Sequence, residues 1–175
     1  MSTIIYESSE KLSTVWIDEN AVSHDFENGK GEIILKDSVT KIEAAAFHDR
    51  NCLTFVFIPK SITEIGAMAF TRCPNLKSVV FSDSVAEIGA FAFASCGNLS
   101  SVIFPDSVTK IGESAFMECS GLTAVYIPDS VKKIGKKAFF KCGLWSISVP
   151  ESTEIGEEAF DYCERLPKIR LALNK

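Results

Sequence analysis

A repeat of 23 residues constrains this chain more than any other feature, because a period of that length decides the architecture of the whole domain. Six phenylalanines that follow an alanine recur at intervals of 23, 23, 23, 23 and 21 residues. In most copies isoleucine and glycine stand before this phenylalanine, and cysteine and leucine stand after it, at fixed distances. The repeated residues, which we call the motif phenylalanines, are Phe47, Phe70, Phe93, Phe116, Phe139 and Phe160.

A single copy predicts two short strands and a compact turn. In the copy at 76–98, Val79 and Phe81 alternate along one face of a strand, and residues 85–88 form a second short extended piece. The alanine-rich segment 90–96 fits one turn of α- or 3₁₀-helix, and the glycine before it indicates close backbone packing. Because so short a unit cannot bury two apolar faces alone, the copies are expected to stack, with like residues about 4.8 Å apart.

The repeats resemble the BspA-like leucine-rich repeat, also called the Treponema pallidum type, in stretches such as SVTKIGESAFMECSGLTAVYIP at 107–128. The resemblance covers residues 32–171. It implies an α/β leucine-rich-repeat solenoid, a right-handed curved superhelix of mostly short parallel β-strands and short α or 3₁₀ turns, with the sheet on the concave side. We therefore expect a non-repeat N-terminal cap at residues 1–31 and a solenoid of six 23-residue repeats at residues 32–175.

The same resemblance implies a role. Proteins with this repeat are mostly surface or secreted proteins of bacteria and some protozoa, and those with assigned roles bind proteins or adhere to host matrix. A fold of this kind does not by itself specify a function, so the role has to be argued from the surface of this chain.

Both ends of the chain depart from the repeat. Residues 4–6 and 12–17 predict two strands around a polar turn, which form either a cap over the first coil or a separate binding arm. Ile169 and Leu171 predict a last strand near the C-terminus. Its open edge is either blocked by neighbouring residues, paired in a dimer, or continued in a longer protein. The blocking residues would be Pro167, Lys168 and Arg170.

Composition argues against several functions. The 18 basic and 23 acidic residues give a net charge of −5, which does not suit broad nucleic-acid binding. No run approaches the roughly 18 apolar residues of a membrane span, so no membrane insertion is expected. No secretory signal follows Met1, which favours the cytoplasm if Met1 is the native start, whereas the family resemblance suggests the cell surface or secretion.

Nothing in the sequence favours catalysis. No nucleophile elbow, phosphate loop or HExxH motif is present, and His24 and His48 are far apart, so we expect no enzyme, no catalytic residues and no cofactor. The repeated cysteines at a 23-residue step predict small core residues and no metal site. Disulfides between adjacent coils and a metal or redox role are the alternatives. These cysteines are Cys73, Cys96, Cys119, Cys142 and Cys163.

A lysine cluster at 132–141 has two interpretations. The repeat register aligns Lys133, Lys136 and Lys137 with glutamates of the next copy, which predicts ion pairs between coils. The alternative is a site for an anionic ligand.

One outward column of the predicted strands is apolar. It lies between inward-facing positions, so strand alternation points it out of the sheet, and Phe55 lies in the neighbouring outward column. The column is either covered by another chain or by the N-terminal segment, or it is a docking face for a protein or peptide. The candidate partner-binding residues are Ile34, Phe55, Phe57, Val80, Ile103 and Tyr126.

These features favour a non-enzymatic protein–protein interaction module, with cell adhesion as one such role. The alternative is a structural or self-associating fragment of a larger repeat protein, which would form a homo-oligomer. An enzyme is the third and least supported class.

Overall fold

The computed structural model describes residues 2–166, in which the repeats form a β-solenoid made mostly of strands. Each coil contributes one longer strand and one two-residue strand, and within each ladder the paired strands of successive coils are parallel. The two-residue strands form one continuous ladder, whereas the longer strands pair in two groups, the first three and the last two, with no pairing between the third and the fourth. The two extended pieces predicted for each copy are thereby confirmed. The longer strands are β5 (Leu53–Ile58), β7 (Ser78–Phe81), β9 (Ser101–Ile103), β11 (Ala124–Tyr126) and β13 (Ser146–Ser148), and the short ones are β4 (Lys41–Ile42), β6 (Glu64–Ile65), β8 (Glu87–Ile88), β10 (Lys110–Ile111), β12 (Lys133–Ile134) and β14 (Glu154–Ile155).

The N-terminal residues build an antiparallel extension of the longer ladder. Its elements are β1 (Thr3–Ser8), α1 (Val15–Asn20), β2 (Ala21–Glu27) and β3 (Lys30–Leu35). Strand β1 lies between β3 and β5 and pairs antiparallel with both, which gives the order β2-β3-β1-β5-β7-β9. The predicted last strand at the C-terminus and the residues expected to block it lie outside the described residues.

The strand expected at 12–17 is wrong, because a helix begins there. The side-chain oxygen of Thr14 accepts a hydrogen bond from the backbone N–H of Ile17 at 3.1 Å, which caps α1 at its N-terminus. Trp16 and Ile17 are adjacent and both buried. A strand with one covered face would expose one of the two, whereas a helix can turn both toward the core.

The helical turn expected in the alanine-rich segment is also wrong. The N–H groups of Met68, Phe70 and Arg72 donate to carbonyl groups of the next coil at 2.7 to 2.8 Å, whereas those of Ala69 and Thr71 donate three residues back in their own coil. An α-helix would use every N–H group within the segment. The backbone instead alternates through left-handed conformations, with φ of 57° at Met68 and 59° at Arg72.

The motif phenylalanines form the predicted spine of the core. Their rings stack on one another from coil to coil with centroids 5.0 to 5.5 Å apart and ring planes within 12° of parallel. The indole of Trp16 packs edge-on against Phe47 at 5.5 Å and so covers the first ring of the stack. Phe81 and Phe104 meet the stack from the strand side, edge-on to Phe93 and Phe116.

A column of glycines brings the coils into backbone contact. A Cβ atom at Gly112 would lie 2.6 Å from the carbonyl carbon of Gly89 in the preceding coil, and Gly89 has the same relation to Gly66. The N–H group of Gly112 donates to the carbonyl oxygen of Ile88 at 2.8 Å. The predicted close packing at this glycine is confirmed, since any side chain here would force two hydrogen-bonded backbones apart.

We expect Gly112→Ala to lower the free energy of unfolding by about 1–3 kcal/mol, as overpacking at a rigid contact does. The matched control is Gly97→Ala, because a Cβ at Gly97 meets only the Ser120 hydroxyl, at 3.7 Å. Urea denaturation followed by circular dichroism measures both variants. Equal stability of the two variants would contradict the close approach.

Phe93→Ala is expected to cost about 3–5 kcal/mol, because it opens a cavity in a fully buried stack. Phe91→Ala is the control, since Phe91 lies two residues earlier in the same coil and is partly exposed. Chemical denaturation gives the two free energies. A loss below about 1 kcal/mol for Phe93→Ala would show that the stack is not the spine of the core.

Candidate interaction surface

The outward side chains of the longer ladder form one apolar row across five strands. Backbone pairing places Ile5 of β1 opposite Phe57 of β5, and it aligns Phe57 with Val80 and Ile103 on the next two strands. Tyr126 of β11 follows Ile103 after one further repeat, and it pairs onward with a serine of β13. We call Ile5, Phe57, Val80, Ile103 and Tyr126 the apolar row.

Exposure in the apolar row is greatest on the later strands. Ile103 is 79% exposed and Tyr126 is 64% exposed, against 43% for Val80 and 38% for Ile5. Phe57 is half-buried between its neighbours. Large apolar side chains on successive strands leave a contiguous apolar surface, which differs from the scattered apolar residues of an ordinary protein surface.

Ile34 does not lie in the row that the sequence predicted for it. Strand β1 separates β3 from β5, and Ile34 pairs with Thr3 on β1 instead of lying beside Phe57. Ile5 takes the place that Ile34 was expected to hold. Ile4 and Tyr6 are buried and Ile5 is exposed. The run Ile4-Ile5-Tyr6 is apolar throughout, so the sequence indicates neither which residue faces outward nor that β1 inserts antiparallel between two repeat strands.

Phe55 lies in a second outward row that is mainly polar. It pairs with Glu7 on one side and with Ser78 on the other, and Ser101 follows on β9. Phe55 is half-buried there. The apolar row therefore has one aromatic neighbour near β1 and hydroxyl groups beside it farther along the ladder.

The two edges of this sheet face differ in charge. The outward position of each strand is the one that Phe57 holds on β5, and Ser148 holds it on β13. Three residues after it, at the carboxyl end of the strand, the first coil carries the exposed Lys60, and each later coil carries an exposed acidic residue. Lys60 Nζ lies 3.5 Å from the carboxylate of Asp83. At the amino ends, three residues before the outward position, the corresponding residues are Thr54, Lys77, Ser100, Thr123 and Trp145. We call Asp83, Asp106, Asp129 and Glu151 the acidic edge.

The lysine cluster forms the ion pairs that the repeat register predicts. Lys133 and Lys136 each lie 2.8 Å from a glutamate of the next coil, and Lys137 lies 3.2 Å from one. The hydrogen bond between Lys136 and Glu157 raises the pKa of the lysine and lowers that of the glutamate. These cations are compensated by carboxylates, which favours charge pairing over a site for an anionic ligand.

The repeated cysteines are core residues with a specific hydrogen bond. Each thiol donates to the carbonyl oxygen of the motif phenylalanine one coil earlier, as Cys119 does to Phe93 at 3.1 Å. All six cysteines of the chain are free thiols. Burial raises the pKa of Cys119 and of Cys142, so these thiols stay protonated and are poor metal ligands and nucleophiles.

The two histidines lie in different settings. Nε2 of His24 is 2.7 Å from the hydroxyl of the buried Tyr6, and burial, aided by the Lys11 cation, lowers the pKa of His24. Nδ1 of His48 is 3.1 Å from the carboxylate of Asp49 on the turn side of the first coil. His24 therefore belongs to the packing between β1 and β2, and His48 lies beside the exposed carboxylate of Asp49.

Between residues 2 and 166 no helix is both long and apolar enough to cross a bilayer. In the same part of the chain, no three side chains of His, Cys, Asp or Glu converge as metal ligands would.

A stack of parallel 23-residue coils with an exposed sheet face defines a leucine-rich-repeat solenoid. The model of the BspA-type leucine-rich repeat region matches residues 40–167 with six copies, and the chain belongs to this family. Proteins with leucine-rich repeats generally serve as scaffolds for protein interactions. A comparison with curated proteins gives no significant match.

Solved structures of bacterial leucine-rich-repeat proteins are similar to this chain. A leucine-rich repeat protein from Bacteroides ovatus is 31% identical with a TM-score of 0.70, and the match covers 82% of this chain but 36% of that one. The T. pallidum leucine-rich repeat protein is 28% identical with a TM-score of 0.60, and the match covers 78% of each chain. A leucine rich cell surface protein from Faecalibacterium prausnitzii is 27% identical with a TM-score of 0.62, covering 82% of this chain and 44% of that one.

We expect the repeated cysteines to resist alkylation in the folded protein, because their side chains are buried and alkylation needs an accessible thiolate. Iodoacetamide treatment at pH 8 followed by mass spectrometry should label them only after denaturation. Cys52, which is partly exposed and lies outside the repeated column, serves as the internal comparison. Rapid labelling of Cys119 in the native protein would contradict the core role.

Proposed function

We propose that this protein is a non-enzymatic interaction module whose sheet face binds a protein or peptide. The carrying observation is the apolar row, which presents large apolar side chains to solvent on four paired strands, β1 to β9, and on β11 of the next coil. Solenoids present such extended faces to their partners, and the curvature expected of this family would place this sheet on the concave side. A concave face lets one partner touch several coils at once.

The contact residues follow from the register of the strands. The centre of the proposed contact surface is the apolar row. The repeats supply Phe57, Val80, Ile103 and Tyr126, and the N-terminal segment supplies Ile5. Phe55 flanks the row near β1. Ile34 lies off the row and is expected to contribute least.

Adhesion at a bacterial cell surface is the finer role within this proposal. The similar protein from Faecalibacterium prausnitzii is described as a cell surface protein. The chain spans 36% of the Bacteroides ovatus protein and 44% of the Faecalibacterium prausnitzii protein, so what those larger proteins do reaches this chain only as a proposal.

Tyr126→Ala and Phe57→Ala are expected to leave the melting temperature nearly unchanged and to weaken partner binding, because both side chains face outward. Immobilised protein is tested against host-matrix proteins and an extract of the native host, with bound proteins identified by mass spectrometry. Tyr162→Ala is the matched control, since Tyr162 is equally exposed, at 66%, but follows a motif phenylalanine on the turn side. A large loss of stability in the Tyr126→Ala variant would show that the row is buried and unavailable.

Sedimentation velocity separates partner binding from self-association. A dimer that forms with rising concentration and disappears in the Tyr126→Ala variant would assign the row to contacts between copies of this chain. A monomer over the same concentrations leaves the row free for another protein.

A further inference from the structure

We propose that the occupant of the sheet face is a cationic amphipathic α-helix of a partner protein, lying across the strands along the stacking direction of the coils. The inference rests on the function proposed above, and it adds the shape and the charge of the partner. Three observations carry it: the spacing of the coils, the one-sided charge of the sheet face, and the place where exposed apolar and acidic residues coincide.

The coil spacing suits one turn of a helix. The apolar row offers one side chain per strand, and the paired strands from β1 to β9 lie about 4.7–4.9 Å apart. Tyr126 stands on the next coil, whose strand β11 is not paired with β9. A helix laid along the row presents one apolar side chain per turn, with a pitch of about 5.4 Å. An extended peptide presents one side chain to a given face every about 6.6–6.8 Å. The helix therefore stays in step with successive coils much better than a strand does.

The charge of the sheet face is concentrated on one side. The acidic edge carries four carboxylates in successive coils, whereas the amino ends of the same strands carry one cation, Lys77. Lys60 pairs with Asp83 at one end, and Lys132 Nζ donates to the backbone carbonyl of Asp129 at 3.1 Å. Between residues 2 and 166, the carboxylates of Asp106, Asp129 and Glu151 take part in no ion pair.

The free carboxylates coincide with the most exposed part of the apolar row. Asp106 follows Ile103 by three residues and Asp129 follows Tyr126 by three, so each of these coils pairs a large apolar side chain with a carboxylate at the carboxyl end of its strand. An apolar stripe on the helix would lie on Ile103 and Tyr126. Lysine and arginine on one flank of the helix would reach the acidic edge, and an arginine there can also stack on Tyr126.

Trp145 limits the site on its other side. It lies three residues before the outward position of β13, at the amino ends of the strands, and is 60% exposed. An exposed indole at this edge, where Lys77 is the one charged residue among the five corresponding positions, offers apolar contact to the flank of the helix that carries no charge. The partner is thus expected to be asymmetric, cationic along one flank and neutral along the other.

A second copy of this chain does not supply such a helix from its described residues. The helix found between residues 2 and 166 is α1, and its charged residues are Asp18 and Glu19. An acidic helix would be repelled by the acidic edge. The observations therefore favour a different protein as the source of the helix.

The test uses three synthetic peptides of about 18–20 residues, long enough to be partly helical alone. The first carries leucines at i, i+3, i+4 and i+7 with lysine and arginine along one flank, the second replaces those cations with glutamate, and the third scrambles the first. Peptide anisotropy reports affinity for the full chain, and Trp145 fluorescence reports the place of binding, since the other tryptophan, Trp16, is buried.

We expect the cationic helix to bind at least tenfold more tightly than either other peptide at low salt, with the difference shrinking as salt rises. Asp106→Asn with Asp129→Asn should weaken its binding about two- to tenfold, because two exposed charge pairs are lost. Asparagine keeps the turn-forming preference of aspartate at both positions. Glu113→Gln with Asp161→Asn, which removes two exposed carboxylates from the turn side, should leave binding unchanged.

Each contrary outcome is distinct. Any one of three results would overturn the proposal of a cationic helix. These are equal binding of the acidic or the scrambled peptide, an unchanged affinity of the cationic peptide for the Asp106→Asn/Asp129→Asn variant, and no binding of the cationic peptide below about 1 mM. The interaction module itself would still stand if Tyr126→Ala weakens capture of the natural partner. If Tyr126→Ala leaves that capture unchanged, the proposed function fails and the helix proposal fails with it.

Discussion

Backbone hydrogen bonding between coils at strand spacing is the constraint on which the rest of this structure depends. Alternate N–H groups of each coil, such as those of Met68 and Phe70, donate hydrogen bonds to carbonyl oxygens of the next coil. These bonds determine how closely successive backbones approach. At that spacing the same position in every coil lies directly above its predecessor. A column then tolerates only residues that can stack on copies of themselves, which is why Gly89 lies against Gly112 and Phe93 against Phe116.

The same constraint explains the cysteine column. The carbonyl oxygens of Phe93, Phe116 and Phe139 lie in the core, and each accepts the backbone N–H of the cysteine three residues later. The thiol of the next coil adds a second donor to the same oxygen. Cysteine provides this weak donor on a side chain that is otherwise small and apolar, so it adds the bond at little cost in burial. The spacing of the repeated cysteines in the sequence therefore leaves a metal or redox role open, whereas in the structure they are hydrogen-bonded core residues.

The N-terminal segment links the end of the solenoid to its exposed face. Trp16 of α1 covers the first ring of the phenylalanine stack, while β1 pairs with the first strand of the parallel ladder. Because β1 is a strand of the same sheet, it also adds Ile5 to the apolar row. The segment thus takes part in both the core and the sheet face, and the two interpretations given to it from the sequence, a cap and a binding arm, need not exclude each other.

The repeat alone predicted the solenoid, the buried columns, the outward column and the ion pairs between Lys136 and Glu157, because a fixed period places each residue relative to its copies. The sequence could not predict the antiparallel insertion of β1, since pairing between distant segments leaves no periodic signal. That insertion exchanged Ile34 for Ile5 in the apolar row. Propensity also failed at α1 and in the alanine-rich turns, where burial of adjacent residues and hydrogen bonds to the neighbouring coil decided the local conformation. The columns were thus determined by the sequence, and the edges and ends of the sheet were decided only by the tertiary structure.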